Sequence, residues 1–220
     1  VALTEMFITG YQTRDLVMKP AFFLDAMAAI EALARDVADG PALGIGGPWT
    51  DGDDLYNAYH ILQGGKVAAR VLKHHLPNDT VFDEVRMFTS ADVGGPYRIG
   101  PVRIGSPICE DAWFDDVTET LAETGAEILL VPNGSPYYRN KYDRRVGLMV
   151  ARVIETRLPL VYLNMVGGQD DQVFDGGSFV LNRGARLAVQ LPVFAEAVAH
   201  VDFRRGTDGW EAELGQRDRR

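Results

Sequence analysis

Residues 106–114 read SPICEDAWF and contain Cys109, the only cysteine among the 220 residues of the chain. The apolar run 102–109 predicts a strand that ends at this cysteine, and the pattern of residues 115–124 predicts a helix soon afterwards. A thiol at such a turn lies close to backbone N–H groups, which favour its thiolate form and can hold an oxyanion. A lone cysteine is otherwise a small apolar core residue, so that interpretation stays open.

The composition limits the class of protein. Hydrophobic residues make up 46% of the chain, enough for one sizeable α/β domain or two small ones. The net charge is −9 with acids spread along the chain, which argues against binding to nucleic acid or to an anionic membrane. No apolar run is long enough to span a bilayer, and no signal peptide is visible. A single cysteine excludes an internal disulfide and suits a reducing compartment, so we expect a cytoplasmic protein.

The order of predicted elements indicates an α/β fold. Helical spacing marks residues 19–37, 115–124 and 141–157, and the last of these is expected to bury a face formed by Val146, Met149, Val150, Val153 and Ile154. Strands are predicted at 1–9, 41–49, 55–63, 66–72, 102–109, 127–132, 159–166, 173–182, 187–193 and 196–203. Because helices and strands alternate early and strands dominate late, we expect two mixed sheets packed face to face with helices outside.

A cysteine nucleophile needs a base. Two charged residues in or next to predicted strands are candidates for its catalytic partners. Glu5 lies inside the apolar run ALTEMFITG, where a carboxylate is rare unless it is paired or functional. Lys73 follows the strand 66–72, and residues at the ends of different strands can converge at one edge of a sheet. Both could instead lie at the rim of a sheet and have no catalytic function. His74 and His75 are adjacent, so a Cys–His pair through one of them is a further alternative.

Several stretches together resemble one known family. They are TEMFITGY at 4–11, LKHHLPNDTVFDE at 72–84, SPICEDAWF at 106–114, NGSPYYRNK at 133–141 and LNMVGGQDDQVFDGGSFVLN at 163–182. In this order and spacing they are similar to the nitrilase, or carbon–nitrogen hydrolase, superfamily. The closer resemblance is to the glutaminase domains of glutamine-dependent NAD synthetases, and it runs from the first residue to about Phe203.

The resemblance implies a catalytic triad of Glu5, Lys73 and Cys109. In such a triad Cys109 attacks the side-chain amide of glutamine, while Glu5 takes the thiol proton and passes it to the leaving ammonia. Lys73 and the backbone amide of Glu110 would hold the tetrahedral oxyanion. Glu5 would then activate the water that releases glutamate from the thioester.

The resemblance also implies a substrate pocket. Tyr11 and Phe82 correspond to its walls, and Glu84 to a second carboxylate that orients Lys73 or the substrate amine. Ser135 and Lys141 correspond to residues that contact the amino-acid end of glutamine, where a lysine suits an α-carboxylate.

The fold that the resemblance implies is a four-layer αββα sandwich of two mixed sheets. Residues 1–205 would form the glutaminase domain, and the polar stretch 206–220 would be a tail or linker towards a synthetase domain. A strand and a helix that the family has before the base are not in this sequence. No metal or cofactor is expected in this domain, whereas the synthetase domain would use ATP and deamido-NAD. Expected partners are glutamine, the synthetase domain and further copies of the chain.

Two alternatives to a glutaminase remain. A free-standing aliphatic amidase or carbamoylase of the same fold would share the triad and differ in the pocket. Asp79 favours that alternative, because it stands where the family usually has a tyrosine that contacts substrate. A non-catalytic interaction module is the other alternative, and the presence of all three triad residues argues against it.

Overall fold

The computed structural model describes residues 1–215, which form two compact units, Val1–Gly94 and a second that begins at Gly95. Both units combine helices and strands, so the predicted α/β class is confirmed. None of the helices within residues 1–215 has the length and apolar character that crossing a membrane requires.

A three-stranded antiparallel sheet and one long helix build the first unit. Its elements are the helix α1 (Pro20–Asp36), the strands β1 (Leu43–Thr50), β2 (Leu55–Gln63) and β3 (Lys66–Leu72), and the short helix α2 (Glu84–Met87). The sheet has the order β1-β2-β3. Gly64 and Gly65 connect β2 to β3 with φ angles of 60° and 81°, the left-handed values that a tight two-residue hairpin needs. Pro20 occupies the first turn of α1, where its missing N–H is harmless.

The core of the first unit lies between α1 and the sheet. Ile30 and Ala34 of α1 pack with Ile45 and Leu62 from the strands, and all four side chains are buried. Burial of each large aliphatic side chain contributes roughly 1.5–3 kcal/mol. This packing fixes the sheet whose strand ends carry the charged residues described below.

The segment 1–9, predicted to be a strand, forms only one bridge, between Ala2 and Gly44 of β1, and then turns. Met6 has a φ of 47°, so the chain leaves the extended conformation at this point. Gly46 of β1 allows the turn to approach, because a Cβ there would lie 2.2 Å from the Met6 nitrogen. Glu5 therefore lies in a turn pressed against β1, and the prediction of a strand interior was wrong.

A six-stranded mixed sheet dominates the second unit. Its strands are β4 (Tyr97–Ile99), β5 (Val102–Gly105), β6 (Ile128–Asn133), β7 (Leu160–Asn164), β10 (Phe179–Asn182) and β11 (Arg186–Gln190), and β8 (Val166–Gln169) pairs separately with β9 (Gln172–Asp175). The order is β11-β10-β7-β6-β5-β4, with β5, β6 and β7 parallel and the other pairs antiparallel. The carboxyl ends of the three parallel strands consequently meet at one edge.

The α-helices in the described part of this unit are α3 (Asp115–Glu123) and α4 (Lys141–Thr156). The buried face of α4 includes Met149 and Val153, as predicted, but its other members are Lys141, Arg145 and Arg152. Ile154, predicted to be buried, is 55% exposed. Three basic side chains thus lie on a face where the sequence pattern suggested apolar residues.

Two further predictions about the second unit need correction. The strand predicted at 102–109 ends at Gly105, and Cys109 begins a short 3₁₀ helix, Cys109–Trp113. The stretch 206–220, predicted to be a polar tail, contains the strand β13 (Gly209–Leu214), which pairs with β12 (Val201–Gly206); residues 216–220 lie outside the described residues. Ala212 of β13 packs against Val180 and Val189 of the large sheet, so this hairpin covers apolar surface.

Candidate active site

A buried ionic network in the first unit joins the end of β3 to the turn that carries Glu5 and to the start of α2. The ammonium of Lys73, the residue after β3, donates to Oε1 of Glu5 and to Oε1 of Glu84, both at 2.7 Å. The Lys73 and Glu5 side chains are fully buried, and that of Glu84 is 4% exposed. One buried cation between two carboxylates is a costly arrangement, and such groups concentrate at functional sites.

Two neutral side chains complete this network. Asn57 of β2 donates from Nδ2 to Oε1 of Glu5 at 2.9 Å and to Oε2 of Glu84 at 3.3 Å. The Tyr11 hydroxyl donates to Oε1 of Glu84. The sequence analysis missed Asn57, although a single amide within the apolar run LYNAYHIL is a signal of the same kind as Glu5.

The charge state of Glu84 reflects these surroundings. Burial raises the pKa of Glu84; the positive charge of Lys73 opposes that rise, and the negative charge of Glu5 adds to it. The backbone N–H of Glu84 donates to the Pro77 carbonyl at 3.0 Å, which anchors the start of α2 beside the network. Glu84 therefore keeps its proton to a higher pH than an exposed glutamate does.

The residues predicted as pocket walls lie next to this network. The rings of Tyr11 and Phe82 meet edge to face with centroids 6.0 Å apart. Together with Met6, Asn57 and Glu84 they line a small cavity. Within the first unit the structure thus brings together Glu5, Tyr11, Lys73, Phe82 and Glu84, all of them named from the sequence.

Cys109 lies in the second unit at a tight turn after β5. Its side chain is 4% exposed, and its φ of 48° is unusual for a residue with a Cβ. Asp111 braces the turn, because its carboxylate accepts the Ile108 N–H at 3.0 Å and its own N–H donates to the Ile108 carbonyl at 3.0 Å. Backbone strain at a nucleophile is a recurring feature of active sites, so this geometry favours the functional interpretation of the thiol.

Lys141 is buried in the second unit, where Cys109, Glu110, Arg144 and Arg145 are near enough to act on its charge. Its ammonium is 4.6 Å from the centroid of the Tyr138 ring and 5.5 Å from that of Trp113. Burial lowers the pKa of Lys141, whereas the charges of Cys109 and Glu110 oppose that shift. A buried ammonium near a thiol is suited to binding an anion.

Ser135 lies in the loop between β6 and α4 and is 1% exposed. Its N–H donates to Oδ1 of Asn164 at 3.0 Å, and its hydroxyl accepts a hydrogen bond from Nε of Arg145 at 3.2 Å. Burial raises the pKa of the nearby Tyr162, whereas the positive charge of Arg145 and a hydrogen bond with the Ser135 hydroxyl oppose that rise. The second unit thus holds Cys109, Glu110, Ser135 and Lys141, while the sequence analysis missed the buried residues around Ser135.

Comparison with known sequences identifies relatives of the whole chain. The family model described as carbon-nitrogen hydrolase matches residues 1–208. A glutamine-dependent NAD(+) synthetase from Rhodobacter capsulatus is 63% identical over 212 residues, which are 96% of this chain and 38% of that protein. The enzyme of the same name from Aquifex aeolicus is 32% identical over 94% of this chain and 36% of its own length. The chain therefore spans little more than a third of the curated relatives it matches.

Solved structures show the same fold. A glutamine-dependent NAD+ synthetase from Acinetobacter baumannii, solved with adenosine diphosphate, superposes with a TM-score of 0.89 at 32% identity, covering 96% of this chain and 40% of that one. An amidase from Nesterenkonia superposes with a TM-score of 0.74 at 25% identity, covering 87% of this chain and 72% of that one. The nitrilase-like fold predicted from the sequence is thereby confirmed.

Proposed function

The chain belongs to the carbon–nitrogen hydrolase family, and from this premise we propose that it hydrolyses the side-chain amide of glutamine to glutamate and ammonia. The ammonia would serve a synthetase domain that makes NAD. Relatives named as glutamine-dependent NAD(+) synthetases, at up to 63% identity in the examples above, support this choice within the family.

The observation that carries the proposal is the buried contact of Lys73 with both Glu5 and Glu84. A merely structural ion pair needs one acid and one base, and its burial seldom stabilises a protein. Two acids sharing one ammonium provide instead a proton acceptor and a fixed positive charge, which are the parts that amide hydrolysis through a thiol requires.

The proposed reaction has two stages. Cys109 attacks the amide carbon while Glu5 removes its thiol proton, and Lys73 with the Glu110 N–H stabilises the oxyanion. The C–N bond then breaks, Glu5 protonates the departing ammonia, and a thioester remains. Glu5 next takes a proton from water, the hydroxide attacks the thioester, and the proton returns to the thiol as glutamate leaves.

The amino-acid end of glutamine is assigned in this proposal to the second unit. Lys141 provides a desolvated ammonium for the α-carboxylate, and Ser135 provides a buried hydroxyl. Tyr11, Phe82 and Glu84 contribute the wall and the second carboxylate. The reaction itself needs no cofactor; ATP and deamido-NAD would be used only by the synthetase domain. A reducing cytoplasm and assembly into a homo-oligomer complete the proposal.

The direct test is ammonia release from L-glutamine by the purified protein. Replacement of the nucleophile, Cys109→Ala, should abolish this release and also prevent covalent labelling by a diazo-ketone analogue of glutamine. Near-normal turnover by that variant would exclude the proposed triad.

An aliphatic amidase is the second candidate, supported by the similarity to the Nesterenkonia amidase. Asp79 lies exposed on the loop before α2, and its carbonyl accepts the Phe82 N–H at 2.9 Å. A higher kcat/KM for butyramide than for L-glutamine would favour this candidate.

A further inference from the structure

Arg145 is a fully buried charged residue to which the proposed reaction gives no role. Its side chain is 1% exposed, and its Nη1 donates to Oδ1 of Asp175 at 2.7 Å. The Asp175 side chain is 3% exposed. Desolvation of two charges usually cancels what their attraction contributes to stability. The pair therefore calls for an explanation other than stability.

The remaining donors of Arg145 hold the loop that follows β6. Nη2 donates to the Ser135 carbonyl at 2.7 Å and to the Pro136 carbonyl at 3.1 Å, while Nε donates to the Ser135 hydroxyl at 3.2 Å. These contacts use the rigid, planar fork of a guanidinium. A lysine would keep the charge at this position without reproducing the fork.

Asn164, at the end of β7, also fixes this loop by hydrogen bonds. Its Oδ1 accepts the Ser135 N–H at 3.0 Å, and its Nδ2 donates to the carbonyls of Ser135 at 3.2 Å and Gly176 at 3.1 Å. The N–H, the carbonyl and the hydroxyl oxygen of Ser135 are thus all bound by side chains from two separate elements. A functional group held in this way is oriented before any ligand arrives.

The bond from Arg145 also decides which way the Ser135 hydroxyl points. A hydroxyl carries one proton, and because the guanidinium donates to its oxygen, that proton must point away from Arg145. The hydroxyl is thus a donor on the side away from Arg145, where the buried Tyr162 hydroxyl also lies within its reach, so a ligand carboxylate would replace Tyr162 as the acceptor. Lys141 lies one helical turn before Arg145 on the same buried face of α4 and supplies a cation.

We propose that Arg145, held by Asp175, is a positioning residue that fixes the Ser135 hydroxyl as a hydrogen-bond donor and thereby makes the site select amides that carry a carboxylate. The inference rests on the proposed amide hydrolysis and adds the residue on which substrate selection depends. A brace that served only the fold would affect all amide substrates alike.

The test compares three substrates, L-glutamine, glutaramate and butyramide, of which only butyramide lacks a carboxylate. Arg145→Lys keeps the charge and loses the fork, so we expect KM for L-glutamine and for glutaramate to rise roughly tenfold. The kcat/KM for butyramide should stay within about twofold, and Ser135→Ala should behave in the same way. The double variant should be no worse than the more impaired single variant, because both changes remove one function.

Arg152→Lys is the matched control, since Arg152 is a buried arginine of the same helix that pairs with Glu155 and not with the Ser135 loop. It should leave the ratio between the three substrates unchanged. Equal losses on butyramide and glutaramate in Arg145→Lys, or losses that multiply in the double variant, would overturn the inference. If Arg145→Lys does not fold, Asp175→Asn keeps the guanidinium and is judged by the same ratios.

The substrate set separates the two proposals. Absence of L-glutamine turnover by the unaltered protein would overturn the glutaminase function. Even then, a preference of that protein for glutaramate over butyramide, lost in Arg145→Lys, would support the role of Arg145. No such preference in the unaltered protein would refute that role.

Discussion

The ammonium of Lys73 lies 2.7 Å from a carboxylate oxygen of Glu5, and neither side chain is exposed to solvent. The two residues are 68 positions apart in sequence and come from different local structures, a turn against β1 and the end of β3. In the proposed reaction, their contact ties the proton acceptor to a fixed positive charge within the first unit. The first prediction concerns this pair.

Glu5→Gln should reduce glutamine hydrolysis by roughly 10²- to 10⁴-fold, the range typical for loss of a general base. The amide has nearly the same shape, and Lys73 keeps Glu84 as an ionic partner, so the fold should survive. Ammonia release measures the activity, and circular dichroism checks the fold. Activity within tenfold of the unaltered protein would mean that another group removes the thiol proton.

Asn57→Leu should shift the acid limb of the kcat/KM profile to higher pH. Asn57 donates to Glu84, whose pKa burial already raises, and loss of this donor disfavours the ionised carboxylate further, so a higher pH is needed to ionise Glu84. Lys73 and Tyr11 remain as donors to the carboxylates. An unshifted limb together with lower stability would assign Asn57 to packing alone.

Cys109→Gly should be more stable than Cys109→Ala by about 1 kcal/mol, although neither variant should hydrolyse glutamine. The φ of 48° at this position is unfavourable for any residue with a Cβ and is readily adopted by glycine. Denaturant unfolding of the two inactive variants measures the difference. Equal stabilities would show that the turn relaxes when the sulfur is removed.

The KM for glutaramate should rise as the pH increases through the alkaline range. Lys141 attracts a carboxylate only while it is protonated, and because burial lowers its pKa, it loses that proton at a lower pH than an exposed lysine does. Lys141→Arg should flatten this rise, since a guanidinium stays charged. The same alkaline rise in Lys141→Arg would assign the effect to a different group.

Local patterns in the sequence predicted most of the regular structure. The strands β2 and β3 and the helix α1 match their predicted ranges to within a residue or two, because each has an unbroken pattern with clear end signals. The segment around Glu5 was misjudged because its turn depends on Gly46, some forty residues away. An apolar run by itself cannot reveal that the opposing backbone comes too close for a regular strand.

Some residues of the candidate site could be predicted from the sequence and others could not. Glu5, Lys73 and Cys109 were named because charged or reactive groups in apolar runs are unusual and because the motifs resemble a family. Asn57 carries the same local signal, whereas Arg145 follows Asp143 and Arg144 in a charged stretch that gives no such signal. The importance of both depends on partners that only the tertiary structure brings near. The alternating pattern of 209–214 was present as well, yet it was outweighed by the polar character of the surrounding residues.

The close approach of Gly46 to the turn that carries Glu5 has a consequence for mutational scanning. Gly46 has no functional group and touches no proposed substrate contact, yet every side chain larger than hydrogen would push the Glu5–Met6 backbone off β1. In a mutational scan selected for activity, position 46 should tolerate substitution as poorly as the proposed nucleophile, Cys109. A residue can thus be indispensable to a reaction solely through the volume it leaves unoccupied.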